Sequence, residues 1–392
     1  MSVPAPSVTS KPRKRQRLHI DESLLFATLS LLVIGFVMVT SSSLHLGVKL
    51  ADDISHYPIK QLLHILLGLV VAGGVLLVPM KSWQKIGQPL FLGGLVLLLV
   101  VLIPGVGVKV NGSVRWLSVF GLRIQVSEVV KFISVIYMAG YITRHAEHVR
   151  TSLFGLVRPL LLFAVACLLL LMEPDFGSAV VILMIAMGMM FVGGARLSPF
   201  VLLVGLVSTA AALLAYTEPY RWKRVVSFLD PWDHARDSGY QLTQALISFG
   251  RGEVSGVGLG NGLQKLFYLP EAHTDFLFSV MGEELGLVGV MTIIFLFSVL
   301  IIRGFIIADA AARVGEQFSS LVAYGLTIWF GFQAIVNMGV NMGLLPTKGL
   351  TLPLMSYGGG SMMVMCGAVA ALFRIHYETT ERDKRNVKGR TA

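Results

Sequence analysis

The chain has 392 residues, with 32 Lys and Arg against 22 Asp and Glu, a formal net charge of +10, 55% hydrophobic and 14% charged residues, and a mean hydropathy of +0.74. Soluble domains carry about 25% charged residues, so a soluble globular protein, a disordered chain and a disulfide scaffold are all excluded. The apolar residues come in long blocks, and the composition therefore points to a polytopic α-helical membrane protein.

Residues 1–23 are polar and carry Lys11, Arg13, Lys14, Arg15 and Arg17. This stretch and the apolar run after it are both too long for a cleaved leader, so the first hydrophobic helix is expected to stay as a membrane span. A bilayer core of about 30 Å needs about 20 apolar residues per helix. Spans are predicted near 24–43, 59–79, 88–104, 125–143, 157–172, 177–194, 198–216, 276–302, 318–341 and 353–375. Only Glu173-Pro174-Asp175-Phe176-Gly177 separates the fifth from the sixth, so nine spans is the competing count.

Lys and Arg stay on the cytoplasmic side. With ten spans, the basic N-tail falls on one side together with Lys81, Lys85, Arg144, Arg150, Arg158, Arg196, Arg303, Arg313 and a C-tail holding Arg374, Arg382, Lys384, Arg385, Lys388 and Arg390. The short loops opposite hold only Lys49, Lys60, Lys109, Arg115, Arg123 and Lys348. An all-α bundle of ten transmembrane helices with both termini cytoplasmic fits this bias. Residues 24–377 then form one membrane domain between cytoplasmic tails 1–23 and 378–392. The positive charge reflects topology and attraction of the tails to anionic lipid headgroups, and calls for no nucleic acid. Cys167 and Cys366 lie in apolar runs and read as small hydrophobes.

The connection 217–275 breaks the pattern of short loops, and this count places it outside. Connections of such length are usually functional or disordered. Apolar patches at Gln241 to Phe249 and Leu263 to Leu269 predict that it packs on the bundle mouth.

Ionisable groups at membrane depth are costly and mark functional sites by default. The fourth predicted span opens with Arg123, Glu128 and Lys131. Glu128 and Lys131 are three apart, share a helix face and can pair; on a continuous helix Arg123 lies about 12 Å above Lys131, with Arg115 in the preceding loop. Two readings stand: an ion pair that locks helices, or a cationic column that takes an anion such as phosphate. Asp275 sits where the long loop meets the eighth span, and there it is either a plain helix cap or a general base toward a sugar hydroxyl. Glu283 and Glu284 follow in the same span and are ill-suited to face lipid. Residues Met338 to Gly349 and Pro353 to Ser361 form a Gly- and Pro-broken stretch, tolerated at membrane depth only against protein or a wet cavity. Three motifs are set aside: Ser356 to Ser361 lacks the Lys-Ser/Thr ending of a phosphate loop, Gly256 to Gly262 lacks a βαβ context, and His145, Glu147 and His148 form a solvated basic turn.

Asn111 to Lys131, Glu173 to Ala179, Tyr220 to Arg224 with Phe228 to Trp232, Gly239 to Gly252, Gly256 to Phe278 and Met338 to Ser361 together resemble the SEDS (shape, elongation, division and sporulation) family of membrane proteins. The basic N-tail, Glu173 in place of Gln, and Ser238-Gly239-Tyr240-Gln241-Leu242 are similar to its division-specific branch. The resemblance implies a ten-helix peptidoglycan glycosyltransferase of the bacterial cytoplasmic membrane that polymerises lipid II at the division septum, with a class B penicillin-binding protein and other division proteins as partners. It implies that the essential carboxylate is Asp275, that the cationic positions are Arg123 and Lys131, and that an outer acidic position is Glu218. Arg115, Glu128, His273, Lys348 and Ser356, in the same motifs, complete the expected substrate-binding set. The reading leaves metal dependence open, with a divalent cation, magnesium or manganese, as a candidate aid to Arg123 and Lys131 at the leaving group. Two rivals from other classes are a lipid II flippase, which broken helices and a lipid-pyrophosphate site would also suit, and a non-catalytic division scaffold.

Overall fold

The computed structural model describes residues 20–110, 113–119, 122–217, 222, 226–346 and 349–390. The elements are α1 (Glu22–Ala51), α2 (His56–Leu77), α3 (Met80–Val101), strands β1 (Gly107–Val110), β2 (Ser113–Val119) and β3 (Leu122–Gln125), then α4 (Val126–Arg144), α5 (Ala146–Thr151), α6 (Leu153–Met172), α7 (Phe176–Val192), α8 (Leu197–Thr217), α9 (Tyr240–Gly252), α10 (Leu277–Arg313), α11 (Gln317–Asn341) and α12 (Gly359–Arg390).

Eight of these helices are long and apolar enough to cross a membrane: α1, α2, α3, α4, α6, α10, α11 and α12. The shorter apolar helices Phe176–Val192 and Leu197–Leu206 fall in the sixth and seventh predicted spans. Burial ranks the helices. In α4, 83% of the most apolar window is enclosed, and in α11 and α12 72%, whereas α2 encloses only 11%. A helix apolar on every side is a central helix; α4, with Val126, Val130, Val135, Ile136, Met138 and Ala139 all buried, is that element. The outer helix α2 turns Leu66, Val70 and Leu77 outward and lays Gly68 against Cys366 of α12. Such close approach through small residues drives helix pairing in lipid.

Helix α1 starts at Glu22, two residues inside the expected tail, because Asp21 caps it by accepting from the Leu24 N–H at 3.0 Å. The buried Asp21 carboxylate also pairs with Arg303 of α10. At the other end of the chain α12 begins at Gly359 rather than near 353, since residues 353–358 make turns, and it runs as helix through the expected C-terminal tail to Arg390.

A second difference is a three-stranded antiparallel sheet, order β1-β2-β3, where an all-α chain was expected. Its residues are rich in β-branched and aromatic types (Val108, Val114, Trp116, Ile124) that favour extended backbone, and each strand is too short to register against a membrane-scale apolar pattern. The consequence is specific: Arg123 lies on β3 and Lys131 on α4, so the expected column of cations along one helix does not form.

Helix α10 carries the main irregularity. Gly286 has φ 65° and ψ −161°, which breaks the helix near its start. A break exposes backbone groups that lipid cannot satisfy. Here the chain after α9 fills the gap: the N–H groups of Val257 and Gly258 donate to the carbonyls of Glu283 and Glu284 at 3.0 and 3.1 Å, and those of Leu287 and Val288 donate to the carbonyls of Glu253 and Val254 at 3.0 and 3.2 Å. A Cβ on Gly286 would lie 2.3 Å from the Gly256 nitrogen, so glycine is demanded at the crossing.

The same segment explains the two acidic residues in the eighth span. Glu283 and Glu284 are 0% and 1% exposed. Glu283 accepts from Arg251 (2.8 Å) and from the Leu263 and Gln264 N–H groups (2.8 and 3.2 Å). Glu284 accepts from the buried Lys265 at 2.6 Å, from Ser41 of α1 at 2.7 Å and from the Gly260 N–H at 3.0 Å. The expected docking of the 217–275 connection on the bundle is thus achieved through two saturated carboxylates and through α9, which packs on α10.

Candidate functional site

Asp275 lies in the last turn before α10, half-buried. It is not the helix cap: the capping position is Phe276, without a side-chain bond. The capping bond comes from α11, where Asn341 Oδ1 accepts from the Ser279 N–H at 3.1 Å and its hydroxyl at 2.7 Å. Asn337 and Asn341 then donate through Nδ2 to the Asp275 carbonyl, each at 2.9 Å, and Asn337 donates to the Leu350 carbonyl at 2.5 Å. Two amides one helical turn apart therefore hold both the backbone of Asp275 and the broken segment 349–356. Gly349 completes the arrangement, since a Cβ there would sit 2.8 Å from Asp275 Oδ2.

One turn further along α11, an axial step of about 6 Å, stands Gln333. Its Nε2 donates to the Thr351 carbonyl at 2.9 Å, and its Oε1 accepts from Trp329 Nε1 at 2.9 Å and from Lys131 Nζ at 3.5 Å. Lys131 is fully buried and pairs with Glu128 at 2.7 Å, as the three-residue spacing predicted. Gln333, Asn337 and Asn341 thus form a ladder that connects the buried ion pair to Asp275. Reasoning from the sequence missed this ladder, although four-residue spacing of amides inside an apolar helix is a legible signal.

His273 is buried two residues before Asp275 and accepts the Tyr357 N–H at its carbonyl (3.0 Å). Burial holds its imidazole below the usual value, with Glu271 opposing. Burial also pushes the Tyr357 hydroxyl up to about 12, with Tyr57 adding and Arg123 opposing. The exposed Arg123 is therefore electrostatically coupled to the rim beside His273.

The remaining expected residues divide. Ser356 is buried, and its hydroxyl accepts from the Leu352 N–H at 2.8 Å, which shapes the turn before α12. The Arg115 guanidinium donates to the carbonyls of Glu173 and Pro174 at 3.1 and 2.5 Å and fastens β2 to the α6–α7 turn. Glu218 and Lys348 lie outside the described residues. No group of three or more His, Cys, Asp or Glu side chains that could hold a metal occurs among the described residues. A cavity of about 530 Å³ lies at the opposite end of the helices, beside the ion pairs Arg374–Glu378 and Arg382–Glu316.

The α6–α7 turn encloses two carboxylates, Glu173 and Asp175. Asp175 is satisfied by the Ser178 N–H and by Gln125 and Ser127. Neither Glu173 oxygen has a hydrogen-bond partner among the described residues. Burial pushes the Glu173 carboxyl from 4.5 up to about 8, with Asp175 adding and Arg115 opposing. Between these values the unfolded chain has lost a proton that the folded chain keeps, so stability falls as pH rises through that window and then levels off. Glu173→Gln removes this dependence. Its melting temperature in detergent is expected to exceed that of the parent at pH 8 and to match it below pH 4.5.

A bundle of apolar helices whose longest connection and broken segments converge on one carboxylate defines a polytopic membrane protein with a polar site at one end. The family described as "Cell cycle protein", comprising FtsW, RodA and SpoVE, matches residues 22–381. A "Probable peptidoglycan glycosyltransferase FtsW" of Methylomonas methanica is 75% identical over 391 residues, covering 100% of both chains. The protein of the same description from Methylococcus capsulatus is 58% identical, covering 92% of this chain and 91% of its own. Among solved structures, a chain described under "Structural coordination of polymerization and crosslinking by a peptidoglycan synthase complex" is 29% identical with a TM-score of 0.74, covering 92% of this chain and 99% of its own. The rod-shape-determining protein RodA of Thermus thermophilus is 28% identical with a TM-score of 0.68, covering 92% and 97%. The chain belongs to the FtsW/RodA/SpoVE family.

Proposed function

We propose that the protein is a peptidoglycan glycosyltransferase that polymerises lipid II on the outer face of the bacterial cytoplasmic membrane at the division septum. The observation that carries this reading is the fixation of Asp275: its backbone is held by Asn337 and Asn341 and its carboxylate lies against Gly349, on the side of the bundle that also carries Arg123. The names of the similar proteins support the activity.

In this reading Asp275 takes the proton from the 4-hydroxyl of the acceptor N-acetylglucosamine. That oxygen bonds to the anomeric carbon of the donor N-acetylmuramic acid as the bond to the undecaprenyl pyrophosphate breaks on the opposite face, so the centre inverts. A positioned base contributes about 10²–10⁴-fold. The leaving group is already stable as an anion and needs charge neutralisation rather than a general acid. Arg123, exposed on β3, is the cation suited to reach a diphosphate. Lys131, enclosed and paired with Glu128, acts through the amide ladder on the orientation of the segment beside Asp275.

The ten-span arrangement with both termini cytoplasmic belongs to this proposal and rests on the loop charge bias. A class B penicillin-binding protein is the proposed partner, supported by the similarity to a chain from a peptidoglycan synthase complex. Other division proteins and anionic lipids are the further partners in this reading. A broken helix such as α10 would suit a flippase; its half-helix ends are occupied by the 253–258 backbone rather than aimed at a ligand, so the enzyme is preferred. The test uses purified protein in detergent, with the transpeptidase present and absent. Labelled lipid II is expected to become long glycan strands where there is no bilayer to cross; failure to polymerise under both conditions would overturn the enzymatic reading.

A further inference from the structure

Next to the Asp275 turn, three rings from three separate elements meet: Tyr57 at the start of α2, His273 in the turn before α10, and Tyr357 in the turn before α12. Each pair of ring centroids is 5.4 Å apart. His64, two turns along α2 from Tyr57, joins the group at 5.7 Å from the Tyr357 ring, and its Nε2 lies 2.7 Å from where a Cβ on Gly359 would stand. Between Tyr57 and His64 on the same face of α2 comes Gln61, four residues after the first and three before the second. That face looks at α12, since Gly68, one heptad beyond Gln61, rests on Cys366.

Four polar atoms of this group are left without partners among the described residues. Gln61 is 0% exposed, and neither its Nε2 nor its Oε1 has a hydrogen-bond partner among the described residues; the same holds for Nδ1 of His64 and Nδ1 of the buried His273. Buried donors and acceptors are normally satisfied, and leaving several orphaned in one place is costly. A carboxamide presents a donor and an acceptor side by side, and two imidazoles add one position each that takes either role. The complementary ligand carries hydroxyl and amide groups and has a flat apolar face for the tyrosine rings. That is the chemistry of an acetamido sugar.

We propose that Tyr57, Gln61, His64, His273 and Tyr357 form a subsite that holds an N-acetylated sugar unit of the lipid-linked substrate next to Asp275. This proposal rests on the glycosyltransferase reading and adds to it the residues that recognise the carbohydrate rather than the diphosphate. The site costs stability when empty, because the orphaned amide is satisfied only by the sugar.

The test uses full-length protein carrying Asp275→Asn, so that bound substrate is not consumed, with two probes: lipid II, and undecaprenyl pyrophosphate, which lacks the sugars. Gln61→Leu added to this background is expected to weaken lipid II binding about 10-fold, equivalent to about 1.4 kcal/mol, and to leave undecaprenyl pyrophosphate binding unchanged. The ligand-free Gln61→Leu protein should melt at or above the temperature of its parent. Tyr57→Ala should show the same selectivity between the probes. Unchanged lipid II affinity, equal weakening of both probes, or a lower melting temperature with unchanged affinity (the signature of an amide bonded to structural water) would each overturn the subsite. Should the protein with native Asp275 polymerise lipid II while Gln61→Leu in that background has an unaltered KM, the subsite falls and the enzyme stands. Should the native protein neither bind nor polymerise lipid II, both fall.

Discussion

Asp275→Asn protein is expected to insert, fold and melt like the parent while its glycan polymerisation rate drops about 10²–10⁴-fold, the contribution of a positioned base. The substitution is nearly isosteric and removes only the capacity to accept a proton. The folding role at this position belongs to backbone: the bonds from Asn337 and Asn341 end on the Asp275 carbonyl and persist whatever the side chain. Rate measured with purified protein and labelled lipid II, alongside a thermal melt, separates chemistry from fold. Polymerisation within a few-fold of the parent would remove Asp275 as the base. Gly349 sharpens the point, because a Cβ there would crowd the same carboxylate and move it without changing its charge.

The second large effect concerns the buried pair. Lys131→Met leaves Glu128 enclosed without its ammonium, and breaking a buried pair from one side costs about 3–5 kcal/mol. The single variant is therefore expected to melt well below the parent and to lose activity. Replacing both partners, Glu128→Gln with Lys131→Met, removes the uncompensated charge and is expected to restore most of the stability. Activity is expected to stay low in the double variant, because Gln333 loses the Lys131 ammonium and keeps only Trp329 to orient the amide that holds the Thr351 carbonyl. Recovery of both stability and activity would make the pair a helix lock and nothing more. A single variant as stable as the parent would show that the pair holds nothing.

How much of this was legible in the sequence depends on the range of the interaction. The membrane helices were readable because each is written in a continuous apolar block, and Glu128 and Lys131 because a three-residue spacing is a local property. The sheet was not, since β1 to β3 are each a few residues long and their alternation is lost beside membrane-scale blocks. Placing Arg123 on a continuous helix with Lys131 was the resulting error. Asp275 stood out as a carboxylate at a helix start, and of its two readings the plain cap falls away because Asn341, far away in sequence, bonds the first turn of α10. Arg115 stood out as a cation near the site, but its bonds to two carbonyls of the α6–α7 turn are visible only in the folded chain. Glu283 and Glu284 were recognisable as anomalous, but only the folded chain shows that Arg251, Lys265 and loop N–H groups saturate them. The polar ladder of α11 and the Gln61 group were overlooked for one reason: uncharged amides in apolar helices carry little weight in a charge-based reading, although desolvation makes them nearly as demanding.

The broken α10 has a bearing on biogenesis. Its two halves leave carbonyls at Glu283 and Glu284 and N–H groups at Leu287 and Val288 that only residues 253–258 complete. Those residues precede the helix in the chain, so they are synthesised before the helix they finish. The broken α10 is then satisfied at membrane depth only with the preceding segment folded back upon it, so residues 253–258 belong to the hydrogen bonding of the span that follows them.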